Sequence, residues 1–309
     1  MSRSVRMIEV MGLNMMQIAA IAAVMMACAC LPAPAQQADT SQAVPTSNAT
    51  PTEQPKGKSF AKPADAAAAL YAAARRDDDS ELLVVLGPNA KEMVHWNDDA
   101  EMRKQERAAF ADKYDQMHRL VKEPDNTVAL YVGAENWPVP IPLVKYHGAW
   151  YFDVDLGMQE IRYRRIGRNE MAALEVCRTL VDAEKEYQSI AHQYTAKFVS
   201  ASGHDGLYWK SGDDSTRSPI GPYLAHAGVG EAGAGNSTPF HGYYYRIVLH
   251  GSDKFSILAF PAEYRSSGVM TFLINADGTA YEKDFKDQTA TLSKPPASSE
   301  VDSSWKKVD

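Results

Sequence analysis

GYYYRIVLHGSDKFSILAFPAEYRSSGVMTFLINADGTAYEKDF, residues 242–285, decides the fold of this 309-residue chain. Tyr243 to Leu249, Phe255 to Phe260, Val269 to Asn275 and Thr279 to Phe285 are short β-rich runs split by turn residues, the pattern of an antiparallel meander. Ala276-Asp277-Gly278 marks the last hairpin, because Asp-Gly readily takes the positive φ values of a tight turn. Tyr243 and Tyr245 then share one face of their strand and Tyr244 takes the other, so at least one face of that strand is expected to be partly exposed.

Upstream, Asn169 to roughly Tyr194 reads as one long helix, with Asn169 as N-cap and Glu170 in the first turn. Met171, Leu174, Cys177, Leu180, Val181, Glu184 and Tyr187 fall near helical spacing and predict an apolar face. A helix laid on a four-stranded antiparallel meander resembles the layout of type IV pilin-like globular domains, without the hydrophobic N-terminal spine of a pilin. Helix and meander together make a predicted domain over 168–290.

A first domain is expected over 60–167. Pro63 opens a helix through Arg75, and Asp77-Asp78-Asp79 precedes a short one ending at Gly87-Pro88, where carboxylates complement the dipole. Asp98 to Val121 predicts a charged helix with Phe110, Tyr114, Met117 and Leu120 on its buried stripe. Strands follow at Thr127 to Val132, Val139 to Tyr146 and Trp150 to Val154, with His147-Gly148 turning between the last two. Helices followed by a curled antiparallel sheet make this an α+β unit, similar in order to the nuclear-transport-factor-2-like layout. The whole chain is therefore expected to be α+β.

Both ends read differently. Arg3, Arg6, the apolar run Met15 to Ala29 and Ala33-Pro-Ala35 form a signal peptide over 1–35. The apolar run is shorter than the roughly 20 residues of a membrane span. Cleavage after Ala35 leaves Cys177 as the single thiol of the three cysteines. The alternative is a lipoprotein acylated at Cys28. Cys177 itself reads as a small buried hydrophobe. Residues 36–59, rich in Pro, Thr, Ser and Gln, predict a disordered linker. Residues 291–309, with Pro295-Pro296, predict a disordered tail. Loss of the leader removes two arginines and one glutamate, taking the net charge from −7 to −8. That acidity argues against a nucleic-acid partner, which requires a basic patch.

Catalytic motifs are not what distinguishes the chain. It holds no GxSxG, no HExxH and no zinc-like Cys/His spacing, and the reading assigns no cofactor and no metal. Gly228 to Asn236 is glycine-rich but lacks GK[ST], and Leu273 occupies the first ligand position of a partial calcium loop. The most site-like stretch is His204-Asp205-Gly-Leu-Tyr208-Trp209, taken with Ser218, His226, His241 and Arg246. His204, Asp205 and His241 are the candidate catalytic set for a hydrolase-like enzyme. Tyr208, Trp209, Tyr244 and Arg246 are the candidate binding residues. Arg164, Arg165 and Arg168 with Glu160 and Glu170 predict ion pairing at the domain junction.

Seven ordered segments carry a family resemblance: Trp150-Tyr-Phe-Asp153; Glu160-Ile161; Arg164-Arg-Ile-Gly-Arg-Asn-Glu170; Asp205-Gly-Leu-Tyr-Trp209; Ser218-Pro-Ile-Gly-Pro222; Gly242-Tyr-Tyr-Tyr-Arg246; and Phe260-Pro-Ala-Glu-Tyr264 through Phe272. They resemble the domain of unknown function 2950 family over about Phe60 to Thr289. In one departure, Lys286 stands where the family carries a glycine after Lys-Asp-Leu. The resemblance implies an exported bacterial envelope protein and no particular activity. The expected role is a non-catalytic binding or structural module whose partner is an envelope protein or a glycan. Membrane contact is expected only through a lipid anchor.

Overall fold

The computed structural model describes residues 55–96, 98–210, 217–229, 237–286 and 301–308. The leader with Cys28, the linker up to residue 54, the glycine-rich loop at 230–236 and the start of the tail lie outside the described residues. The chain is α+β, with helices and two antiparallel sheets. It divides into two compact units, one ending at Met158 and the other starting at Gln159.

The first unit opens with α1 (Pro63–Arg75) and α2 (Asp79–Leu86). Asp78 caps α2 by accepting the Glu81 N–H at 3.0 Å. Asp77 and Asp79 grip the mostly buried Arg107 at 2.6 and 2.5 Å. The acidic run is therefore a cap and a clamp. A 3-10 turn (Pro88–Ala90) and α3 (Lys91–Val94) lead to α4 (Ala100–Gln116). The predicted helix to Val121 stops early, because Met117 is extended and His118–Lys122 forms strand β1. Leu120 still packs on the core, but from a strand, paired with Leu130.

Strands β2 (Val128–Val132), β3 (Trp137–Pro138), β4 (Leu143–Tyr146) and β5 (Ala149–Phe152) complete the first sheet. Its order is β1-β2-β4-β5, with β3 paired to β2. Phe60 bridges Trp150 and lengthens the β5 edge. Lys58 donates to the Val84 carbonyl at 3.0 Å, so packing begins a few residues before the predicted start at 60. Apolar residues of α1, α2 and the strands share one core, among them Leu70, Leu82, Val85, Leu143 and Phe152.

The long helix α5 runs Val154–Ala191, starting fifteen residues before the predicted Asn169. Asp153 is its cap, accepting the Leu156 N–H at 3.0 Å. Gly157 sits where a Cβ would lie 3.1 Å from Ile141, so glycine serves close approach here. The helix ends where His192 takes φ 58°. Glu160 pairs with Arg164 at 2.7 Å along the helix rather than across a junction.

In the second unit, α5 packs on a sheet of β6 (Tyr243–His250), β7 (Lys254–Pro261), β8 (Thr271–Asn275) and β9 (Ala280–Lys283). This is the expected helix on a meander, with Gly278 at φ 88° in the Asp-Gly turn. A fifth strand, β10 (Lys306–Lys307), pairs with β9. The tail expectation is thus corrected over residues 301–308: Val301 and Trp305 pack beneath the sheet, and Trp305 meets Phe285 edge-on at 5.6 Å. At the other edge, Val229 donates to Tyr245 at 2.8 Å and Tyr245 donates to Ala227 at 3.0 Å. Short covers on both edges satisfy backbone groups that would otherwise invite strand addition.

Candidate functional site

Beyond α5 the chain forms an arm over residues 195–209. The Leu207 N–H donates to Lys197 at 3.0 Å, that of Tyr208 to Phe198 at 2.8 Å, and that of Ser200 to Tyr208 at 2.8 Å. Asp205 closes the turn between the two halves of the arm. Its Oδ1 accepts the Ala201 and Ser202 N–H groups at 2.8 and 3.3 Å, and Oδ2 pairs with Lys197 Nζ at 2.5 Å. The Lys197 ammonium and these N–H groups hold its carboxyl below the ordinary carboxylate value.

His204 is exposed and stacks on Trp209 at 4.3 Å. His241 sits in a turn at φ 50° with its ring edge-on to Phe240. The hydroxyl of Ser218 donates to the Ile220 carbonyl at 3.2 Å. Among the described residues, His204, Asp205 and His241 share no hydrogen bond, and the aspartate serves a lysine and a turn. The structure commits each of them to a local contact: Asp205 to its turn and Lys197, His204 to Trp209 and His241 to Phe240.

It assembles a cleft instead. Tyr208, Trp209 and Lys210 form one wall, and Arg217, Ser218, Pro219, Ile220, Gly221 and Pro222 the other, around a volume of about 410 Å³. That size lies within the usual range of small-molecule sites. The Ile220 N–H donates to the Leu207 carbonyl at 3.3 Å, tying the walls together. Trp209 is 6% exposed and rooted in the core shared with α5. Tyr208 is half-buried, and Tyr223, at the start of the short α6 (Pro222–Ala225), is 78% exposed.

The four candidate binding residues do not meet. Tyr243 and Tyr245 are fully buried on the α5 side of the sheet, in the core that includes Trp209. Tyr244 faces the opposite core with Leu258, Phe260 and Leu273. Arg246 follows it there, buried, with its guanidinium 5.8 Å from the Phe260 ring centre. Tyr208 and Trp209 belong to the cleft, while Tyr244 and Arg246 belong to the underside of the sheet.

Sequence reasoning also missed a knot of side chains on α5. Asn169 and Glu170 lie inside the helix and not at its start. Asn169 Nδ2 donates to the Ser267 carbonyl at 2.8 Å. Glu170 Oε1 accepts the Val269 and Met270 N–H groups at 2.9 and 3.0 Å. Tyr243 completes the knot by donating its hydroxyl to the Met270 carbonyl at 2.9 Å. Three of the seven resemblance segments therefore meet in one structural junction.

The sequence profile of a family described as protein of unknown function (DUF2950) matches residues 57–308. The chain belongs to the DUF2950 family. No curated protein and no solved structure matches it.

The segments that carry the DUF2950 resemblance now have places. Trp150 to Asp153 supplies strand β5 and the cap of α5. The end of the Asp205 to Trp209 segment, at Tyr208 and Trp209, and the Ser218 to Pro222 segment both line the cleft. At Lys286 the backbone takes φ 53°, the left-handed region that glycine enters without a Cβ penalty. Cys177 is fully buried in the core and desolvation pushes its thiol up, as suits a packing residue.

Proposed function

We propose that this DUF2950 protein is a non-catalytic binding module of the bacterial envelope and that the Tyr208–Pro222 cleft holds a glycan. One observation carries the reading: two separate resemblance segments line one cleft. The chemistry of its lining supports a sugar ligand. Tyr208 offers an aromatic face, while Lys210 and Arg217 offer donors and the Ser218 oxygen an acceptor for hydroxyl groups. The commitment of Asp205 to Lys197 and a turn favours binding over the rival hydrolase reading through His204, Asp205 and His241.

Calorimetric titration with envelope glycan fragments tests the proposal. Tyr208→Ala is expected to weaken binding about tenfold, the effect of losing roughly 1.4 kcal/mol of aromatic contact. Failure of the wild-type protein to bind any glycan fraction, or release of hydrolysed product, would overturn it. Export follows from the leader, and its two mature forms separate experimentally. Incorporation of labelled palmitate that is lost in Cys28→Ala marks the lipoprotein, and no labelling marks the soluble form.

A further inference from the structure

Glu184 on α5 is fully buried in the core beneath the arm. Its Oε2 accepts the Thr195 N–H at 3.1 Å, and its Oε1 has no hydrogen-bond partner among the described residues. A half-satisfied buried carboxyl group is costly when ionised. Thr195 relays the contact into the arm. Its hydroxyl donates to the Asp205 carbonyl at 3.1 Å and accepts the Lys197 N–H at 3.1 Å. Lys197 and Phe198 in turn accept from Leu207 and Tyr208, the latter a wall of the cleft. One turn further along α5, the Tyr187 hydroxyl donates to the His204 carbonyl at 3.0 Å. Glu184 and Tyr187 thus fasten both halves of the arm to the helix.

We propose that Glu184 is a proton-operated latch: neutral, it keeps the 195–209 arm seated on α5 and the cleft wall in place, and ionised, it draws water in and loosens the arm. The regulatory meaning of the latch rests on the reading of the cleft as a binding site. Burial pushes the Glu184 acid up to about 7, opposed only by the Thr195 N–H. The other ionisable groups of this core and arm are Cys177 and Tyr187 on α5, Tyr194 just beyond it, Tyr243 and Tyr245 on the sheet, and Lys197, His204, Asp205 and Tyr208 on the arm. Burial raises Cys177, Tyr187, Tyr243 and Tyr245 further above neutrality, so they stay uncharged. Lys197 and Asp205 neutralise each other, and His204 is exposed against Trp209.

The sign follows from linkage. The seated arm holds a proton that an opened arm, with Glu184 near its ordinary 4.5, releases. Seating is therefore strongest at acid pH, weakens as pH rises from about 4.5 to about 7, and is constant above.

Hydrogen exchange of the full chain, corrected for intrinsic rates, reads this directly. Between pH 5.5 and 8.5, protection of residues 195–209 is expected to fall about 30-fold in the wild type, with β7 and β8 unchanged. In Glu184→Gln, protection is expected to be independent of pH. An equal pH dependence in Glu184→Gln, constant protection in the wild type, or the same loss across the sheet would each overturn the latch. Should Glu184→Gln fail to fold, the infrared band of a protonated carboxyl group in the wild type must disappear near pH 7 in step with arm protection. Its absence, or a mismatch between the two, defeats the proposal. The measurement uses no ligand, so a latch that works in a protein binding no glycan, and a glycan-binding cleft indifferent to pH, are separate results.

Discussion

Tyr245→Ala lowers the unfolding free energy by about 4 kcal/mol, within the range for emptying a buried aromatic site, whereas Tyr244→Ala lowers it by about 1 kcal/mol. The two residues are adjacent, so local strand propensity changes alike in both variants and only the faces differ. Tyr245 is fully buried against α5, and its hydroxyl donates to the Phe240 carbonyl at 3.2 Å. Its removal leaves a cavity and a carbonyl without that donor. Tyr244 is half-buried over the underside core, 5.9 Å from Phe260, where water fills much of the space it leaves. Urea denaturation of both variants checks the contrast. Equal losses would contradict the assignment of faces.

Gly228→Val is expected to cost about 3 kcal/mol through overpacking. A Cβ at this position would lie 2.0 Å from the Phe198 ring, and neither side can retreat freely. Phe198 is buried in the main core and belongs to the arm, whose Tyr208 N–H it accepts. Gly228 is flanked by the backbone bonds of Ala227 and Val229 to Tyr245. Either the arm lifts or the edge cover peels away from β6. The clash is with Cγ, Cδ2 and Cβ of one side chain, so Phe198→Ala, which removes the two nearest of these atoms, should recover part of the loss, and the double variant should be less destabilised than the sum of the singles. Thermal melting of the three variants tests this, and strict additivity would show that the strain lies elsewhere.

The expectations that held are those written in local periodicity. The meander, its Asp-Gly turn and the alternation of Tyr243, Tyr244 and Tyr245 depend on period-2 patterning and turn chemistry, both carried by neighbours in the chain. Misplaced elements were settled by distant partners. The long helix is expected to start at Asn169, yet α5 begins at Val154, where Asp153 caps it and Gly157 lets Ile141 approach closely. The tail reads as polar, yet Trp305 and Val301 find an apolar underside that only the folded sheet creates. His118–Lys122 forms a strand because β2 presents an edge to it.

The candidate site divides in the same way. The sequence by itself determined that Tyr208, Trp209 and the Ser218 to Pro222 segment belong to a distinctive stretch, and that the protein is an α+β member of its family. Only the tertiary structure decided that these segments face each other across a cleft, that Asp205 builds a turn, and that Tyr244 and Arg246 lie on the opposite side of the sheet. It alone placed Glu184, spaced in the sequence like one more member of a helix face, in a core where water cannot reach its carboxyl group. Chain order fixes which residues share a strand or a helix face, whereas desolvation and convergence depend on the elements that pack above them.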